Sequence, residues 1–208
     1  MRQNGCYGWG VIAIGIDPGT RKLGWGVVAR VGNRLSHVAH GVIALDSAES
    51  IASRLVELEG QLTRVLREHR PNVSSVESLF FNKDAQAAAK LGHARGVVLL
   101  CLAREGIPIA EYAPAKIKRT IAGTGQADKR QVALMVRAAL ALDSLPPADA
   151  ADALAIAMTH LRLGGLLAAL ETAGAAPGTG AAAESRARVL LALLGKKRPR
   201  RVAVRRRA

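Results

Sequence analysis

Cysteine is scarce in this 208-residue chain. Cys6 and Cys101 are far apart and belong to no metal-type spacing, so neither a disulfide framework nor a zinc site is implied. No run approaches the ~20 apolar residues of a membrane span, so no membrane partner is expected. The opening MRQNGCYGWG does not read as a secretory leader, because only VIAIGI follows it before an Asp interrupts. The expectation is a reducing, cytoplasmic setting. The block GTGQADKR lacks G-x-x-x-x-G-K-[ST], so no nucleotide-binding loop is read there. Acidic residues are also few, 16 against 30 Lys and Arg, for a net charge of +14. Lys196–Ala208 holds eight of the bases and no acid, which leaves +6 on the remainder. A protein of this balance suits a polyanion, since neutralised phosphates release condensed counterions.

The length fits one α/β domain and a tail rather than two domains. VIAIGID has the continuous apolar character of a central strand covered on both faces, PGTRK supplies a turn, and LGWGVVARV and RLSHVAHGVIAL read as two further strands of a meander. Helical spacing runs over 49–69 and ends at Pro71; VSSVESLF returns to strand character. Helical patterns follow at 84–104, 115–122, 129–142 and 148–163, with a short strand at 107–112, an α/β layer arrangement. Residues 1–10 read as an N-terminal extension, 11–170 as the folded domain and 171–183 as a Gly/Ala/Pro linker. Residues 184–208 read as a short helix and a basic tail expected to be disordered.

Four acids stand out. Asp17 ends the first apolar run, where an open α/β sheet presents ligands, although Asp also starts turns such as PGT. Glu77 ends VSSVE, where an acid could equally be paired or sit at an edge. Asp149 and Asp152, three apart in PPADAADALA, project from one helix face, a spacing that helix capping also explains. Carboxylates beside apolar segments must be paired or coordinated, and a divalent cation is the usual partner of several at once. His93 and His160, in helical segments, are not assigned to a metal. Both Phe residues of the chain, Phe80 and Phe81, follow Glu77 within four positions. Adjacent strand residues cannot both face inward, so one is expected to leave the sheet.

The segments IGIDPGTRKLGWGVV, SSVESLFFNKDAQAAAKLGHARGVVL, EYAPAKIKRTIAGTGQADKRQV and PPADAADALAIAMTH, in that order over residues 11–162, resemble the RuvC-type Holliday-junction resolvases. D-P-G-T alone would be a weak signal, and the agreement of four separated blocks makes it specific. The resemblance implies a ribonuclease H-like fold, a five-stranded mixed sheet flanked by helices, acting as a homodimer on four-way DNA. It implies a structure-selective endonuclease that makes paired, symmetric nicks with 5′-phosphate and 3′-hydroxyl ends, in recombination and repair. Asp17, Glu77, Asp149 and Asp152 fall on the family's catalytic carboxylates, which hold Mg²⁺, two ions per site, with Mn²⁺ as a substitute. Lys118 and Lys129 match lysines that approach the DNA backbone, with Lys129 the one placed to stabilise charge on the scissile phosphate.

Lys116, Arg119 and Arg130 thicken the same basic region. Phe80 matches the aromatic that stacks on an unpaired base, with Phe81 beside it; otherwise Phe80 is core and Phe81 a dimer contact. Partnership with the RuvA–RuvB branch-migration complex is implied as well. Three other readings compete: half of an actin-like ATPase, which the lack of a second comparable domain disfavours; a ribonuclease H-like nuclease acting on RNA; and a non-catalytic junction-binding protein, which the intact acidic tetrad disfavours.

Overall fold

The computed structural model describes residues 10–78 and 85–173. The chain divides into two compact units, Met1–Leu163 and Gly164–Ala208, and of the second only the end of one helix falls among the described residues. Residues 1–9 of the expected extension, the linker beyond its first three residues, the basic tail, and Phe80 and Phe81 all lie outside the described residues.

The elements run β1 (Val11–Asp17), β2 (Lys22–Val31), β3 (Arg34–Ala44), α1 (Ile51–His69), β4 (Val73–Glu77), α2 (Ala85–Arg104), β5 (Ile109–Tyr112), α3 (Pro114–Ala122), α4 (Lys129–Ala139) and α5 (Ala148–Ala173). They build one five-stranded sheet of order β3-β2-β1-β4-β5. The meander β1-β2-β3 is antiparallel, and β1-β4 and β4-β5 are parallel, so the sheet is mixed as expected. Parallel neighbours need crossovers, which α1 and α2 supply.

Strand alternation divides the core between the two faces. Ile14, Ile16, Leu23, Val27 and Val76 pack with Leu58, Leu62 and Leu66 of α1 and with Ala94, Val98 and Leu102 of α2. Ala13 and Val28 share the opposite cluster with Ile117 and Ile121 of α3, Val132 and Val136 of α4, and Leu154, Ile156, Met158 and Leu161 of α5. Each large side chain buried this way contributes about 1.5–3 kcal/mol. Helix α5 is buried almost all round its first four turns, from Ala150 to Leu161. That explains why it lacks the one-sided stripe of a surface helix.

Ser50 caps α1, its Oγ accepting from Ser53 N at 3.1 Å. The helix stops at Arg70, which takes a left-handed conformation (φ 44°) and donates its N–H to the Leu66 carbonyl before Pro71. Helix α4 ends at Ala139 rather than 142, because Leu140 caps it and Ala141 turns to positive φ. Helix α5 continues to Ala173 instead of stopping near 163. Gly164 and Gly165 each cost a helix about 1 kcal/mol, but the strong helix formers LLAALE follow them.

Helix α5 lies unusually close to the sheet, and two glycines allow it. A Cβ on Gly15 of β1 would stand 2.1 Å from the Ala153 carbonyl oxygen and 2.5 Å from Ala157 N. On Gly24 of β2 it would stand 1.9 Å from the Asp149 carbonyl oxygen. Both obstacles are backbone and cannot swing aside. We expect Gly24→Ala to lower the stability of the protein by about 1–3 kcal/mol through overpacking, read as a reduced urea midpoint at unchanged m-value. A midpoint equal to that of the unsubstituted protein would show that α5 sits farther from β2.

Candidate active site

Register places the first two acids. Asp17 is the last residue of β1 and pairs across with Gly24, while Ile16 pairs with Val76 in the parallel strand β4. Glu77 ends that neighbour, so two adjacent parallel strands terminate side by side in carboxylates. Alternation from the core residues Ile16 and Val76 turns both acids to the face that carries α5. The buried Ser75 stitches this corner: its Oγ lies 3.4 Å from the Ile14 carbonyl and 3.3 Å from the Ile156 carbonyl, linking β4, β1 and α5.

The close seat of α5 over Gly24 brings its first turns to the same strand ends. Asp17, Glu77 and Asp152 line one open cleft together with Lys118 of α3 and Lys129 of α4, over an apolar floor of Ile117, Val132, Ala155 and Ile156. Asp149 does not line the cleft, yet it is close enough to act electrostatically on Asp17 and on Lys129. Lys129 is the first residue of α4. Asp128 caps that helix in a reciprocal box with Gln131, which fixes the backbone from which the lysine extends. Its Nζ donates to Asp152 Oδ2 at 3.1 Å, and the side chain is otherwise largely exposed.

The cleft is short of positive charge. Burial, then repulsion from Asp152 and Glu77, pushes the Asp17 carboxyl up to about 7, against a smaller opposing pull from Lys129. Glu77 is raised by burial and by Asp152, with Lys129 and Lys118 drawing it back. The Lys129 ammonium is held above its usual range by its hydrogen bond and charge pairing with Asp152. Hard carboxylate oxygens in excess over cations are the donor chemistry of Mg²⁺ or Mn²⁺ rather than of a soft metal. The four carboxylates therefore fit a divalent ion in donor type and in charge. Among the described residues, however, no three His, Cys, Asp or Glu side chains converge at direct ligand spacing. Binding an ion through three of them requires side-chain rotation about strand ends and a helix that are already in place.

The other residues singled out from the sequence divide. Lys118 reaches the cleft. Lys116 lies with its Nζ 5.7 Å from the centre of the Tyr112 ring, and Arg119 and Arg130 are exposed; none of these three lines the cleft. His160 hydrogen-bonds the Tyr112 hydroxyl through Nδ1 at 2.8 Å and does not line the cleft.

Arg95 of α2 is a site residue that the sequence patterns did not single out. It is 7% exposed, donates Nη1 to the Glu77 carbonyl and pairs Nη2 with Glu111 Oε2 at 2.8 Å. It therefore holds the ends of β4 and β5, and with them the backbone of a candidate ligand. The available signal was a guanidinium within an otherwise apolar and small-residue helix, LGHARGVVLL.

The family model for crossover junction endodeoxyribonuclease RuvC matches residues 13–160. A crossover junction endodeoxyribonuclease RuvC of Sorangium cellulosum is 60% identical over 162 residues, which are 78% of this chain and 90% of that protein. One of Methylorubrum populi is 48% identical over 180 residues, 86% and 94% of the two chains. Among solved structures, Thermus thermophilus RuvC in complex with a Holliday junction substrate superposes with a TM-score of 0.72 at 37% identity, covering 76% of this chain and 96% of that one. The yeast mitochondrial Holliday junction resolvase Ydc2 shares the fold at 15% identity, with a TM-score of 0.53 over 72% of this chain and 77% of that one.

The raised carboxyl of Asp17 makes stability depend on pH with a definite sign. An acid whose pKa rises from an ordinary 3.8 to about 7 on folding favours the fold fully below about pH 4, and that contribution is lost as pH rises through 7. We expect Asp17→Asn to be more stable than the parent at pH 8 in EDTA, by up to about 4 kcal/mol. The difference should vanish near pH 4. Chemical denaturation at the two pH values measures it, and equal stabilities at pH 8 would mean that the carboxylates are not crowded. Arg95→Met, which strands the Glu77 carbonyl and frees Glu111, should cost about 1–3 kcal/mol at both pH values.

Proposed function

The chain belongs to the RuvC family of crossover junction endodeoxyribonucleases, and from that premise we propose how its own residues resolve a Holliday junction. The protein is an endonuclease that hydrolyses phosphodiester bonds in four-way DNA, in recombination and repair. The observation that carries the assignment of residues is the cleft where β1, β4 and α5 bring Asp17, Glu77 and Asp152 together with two lysines.

In this reading Asp17, Glu77, Asp149 and Asp152 hold two Mg²⁺ ions, or Mn²⁺ in their place. A divalent ion held there would supply Lewis-acid activation of a water and charge stabilisation for a departing 3′ oxygen, chemistry that gives a 5′ phosphate and a 3′ hydroxyl. Lys129 supplies fixed positive charge to the scissile phosphate. Its grip on Asp152 aims the ammonium into the cleft and exchanges for phosphate contact when DNA enters. Lys118, which also lines the cleft, takes a non-bridging oxygen and helps set the strand's register. Lys116, Arg119 and Arg130 act farther out, as backbone contacts that add affinity without sequence information. Phe80 and Phe81 stand just past the Glu77 strand end in sequence, suited to stacking on unpaired bases at the crossover.

Paired symmetric nicks require two such clefts, so we assign the working unit as a homodimer on a four-way junction, delivered in the cytoplasm by a RuvA–RuvB branch-migration complex. Among the described residues no helix is long and apolar enough to cross a membrane.

Incubating the protein with a synthetic four-way junction and Mg²⁺ should give paired, symmetric nicks that ligase reseals, with linear duplex and RNA–DNA hybrid of the same sequence left largely uncut. Asp17→Asn should bind the junction without cutting it. Cleavage that persists in EDTA, or undiminished activity of Asp17→Asn, would sink the metal mechanism. Lys129→Ala should lower kcat by about 10²–10³-fold, the usual cost of losing one group that stabilises transition-state charge. A change confined to KM would instead make Lys129 a binding residue only.

A further inference from the structure

A second cavity, of about 490 Å³, opens beside the turn that follows Asp17. It is lined by Gly19, Thr20 and Arg21 of that turn, Ser47 of the β3–α1 loop, Arg54 of α1, and Gln86, Lys90 and Leu91 of α2. Among the described residues three cations face it and no carboxylate lines it. Among the described residues none of the three makes an ion pair. The two lysine-bearing walls of the catalytic cleft belong to α3 and α4, whereas these cations come from α1, α2 and the turn, so the two basic groups are separate.

Arg54 is the built part of this cavity. Its Nη1 donates to the Thr20 carbonyl at 2.9 Å, which ties α1 to the turn carrying Gly19, Thr20 and Arg21. Its Nε is buried and has no hydrogen-bond partner among the described residues. That N–H lies below the surface, so what Arg54 offers a ligand in the cavity is the charge of its guanidinium. Arg21 and Lys90 are exposed at the rim, and the Ser47 and Thr20 hydroxyls add neutral donors beside them. Two Arg side chains, a Lys and two hydroxyls around one cavity match a phosphate better than a cation or a neutral ligand.

We propose that Arg21, Arg54 and Lys90 form a second phosphate site, which holds a backbone phosphate of the bound junction outside the catalytic cleft. The proposal rests on the assignment as a junction endonuclease. The Pro18–Arg21 turn would then lie between two phosphates, the scissile one at Asp17 and a held one at Arg54. Such a site positions: it contributes affinity and orientation and leaves the chemistry at the carboxylates alone.

The test uses full-length protein and measures junction affinity across a salt series, with cleavage at saturating junction. The Arg21 and Lys90 side chains are exposed and form no ion pair among the described residues, so Lys90→Gln and the Arg21→Gln, Lys90→Gln double variant should fold normally, which thermal melting checks. Loss of one phosphate contact should lower the slope of log K against log salt by about 0.9 and weaken binding roughly fivefold near 0.15 M salt. Lys90→Arg should restore both, and kcat at saturation should be unchanged in all variants. An unchanged slope and affinity in the double variant would overturn the proposal. So would a lowered kcat with affinity intact, which would move these residues into the chemistry, or inorganic phosphate binding that the variants lose without any loss of junction affinity. Cleavage of the junction by the unsubstituted protein is scored separately and carries the assignment of activity, so failure there is distinguishable from failure of the second site.

Discussion

The close seat of α5 on a sheet face that carries glycines beneath it is the contact on which the site depends. Gly15 and Gly24 leave no Cβ between β1–β2 and the helix backbone, Gly15 beneath Ala153 and Ala157 and Gly24 beneath Asp149 and Ala150. Only at that separation does the first turn of α5 stand over the end of β1, where Asp17 waits. Ser75 and Arg95 complete the frame by fastening β4, the strand that carries Glu77, to α5 on one side and to α2 on the other. The scaffold is therefore rigid where backbone positions matter and adjustable only in the carboxylate side chains.

That arrangement costs folding energy. Three acids converge on one cleft with Lys129 as the close counter-charge, and the burial of Asp17 adds to the repulsion. Local conflicts of this kind are expected at functional sites, where the surrounding fold over-determines an unfavourable constellation. In the proposed reading that conflict has a chemical meaning: the excess negative charge suits divalent cations, and the Lys129 ammonium, paired with Asp152 at 3.1 Å, is the close counter-charge in the cleft. The cavity of Arg21, Arg54 and Lys90 shows the opposite imbalance, cations in want of an anion. The turn that follows Asp17 supplies Gly19, Thr20 and Arg21 to that cavity, so the two unbalanced regions are close along the chain.

Much of this was legible in the chain. The continuous apolar run VIAIGID announced a doubly covered central strand ending in an acid, and the meander, the crossover helices and the late helix led by Pro146 and Pro147 all stand where periodicity and punctuation put them. The ends were less legible. Helix α5 outran its expected stop because two glycines weaken a helix without terminating it, and α4 stopped early because Ala141 adopts a left-handed backbone that no residue type announced. Arg95 was passed over for a physical reason: within a helix pattern an arginine reads as surface, and its burial becomes visible only when the Glu77 carbonyl and Glu111 are found beside it.

Residue types and spacings by themselves determined the layer architecture, the basic character suited to a polyanion, the four candidate carboxylates and their kinship to junction resolvases. These are one-dimensional properties: periodicity decides element type, and a motif is a spacing along the chain. Tertiary structure alone decided which of the acids share a cleft, that Asp149 stands at its margin, that Lys129 reaches Asp152, and that Arg21, Arg54 and Lys90, separated by dozens of residues, face one cavity. Charge interactions fall off over a few ångströms in a half-buried site, so their sign and strength follow from packing distance, and that distance is fixed by the parallel register and the glycine-lined seat of α5.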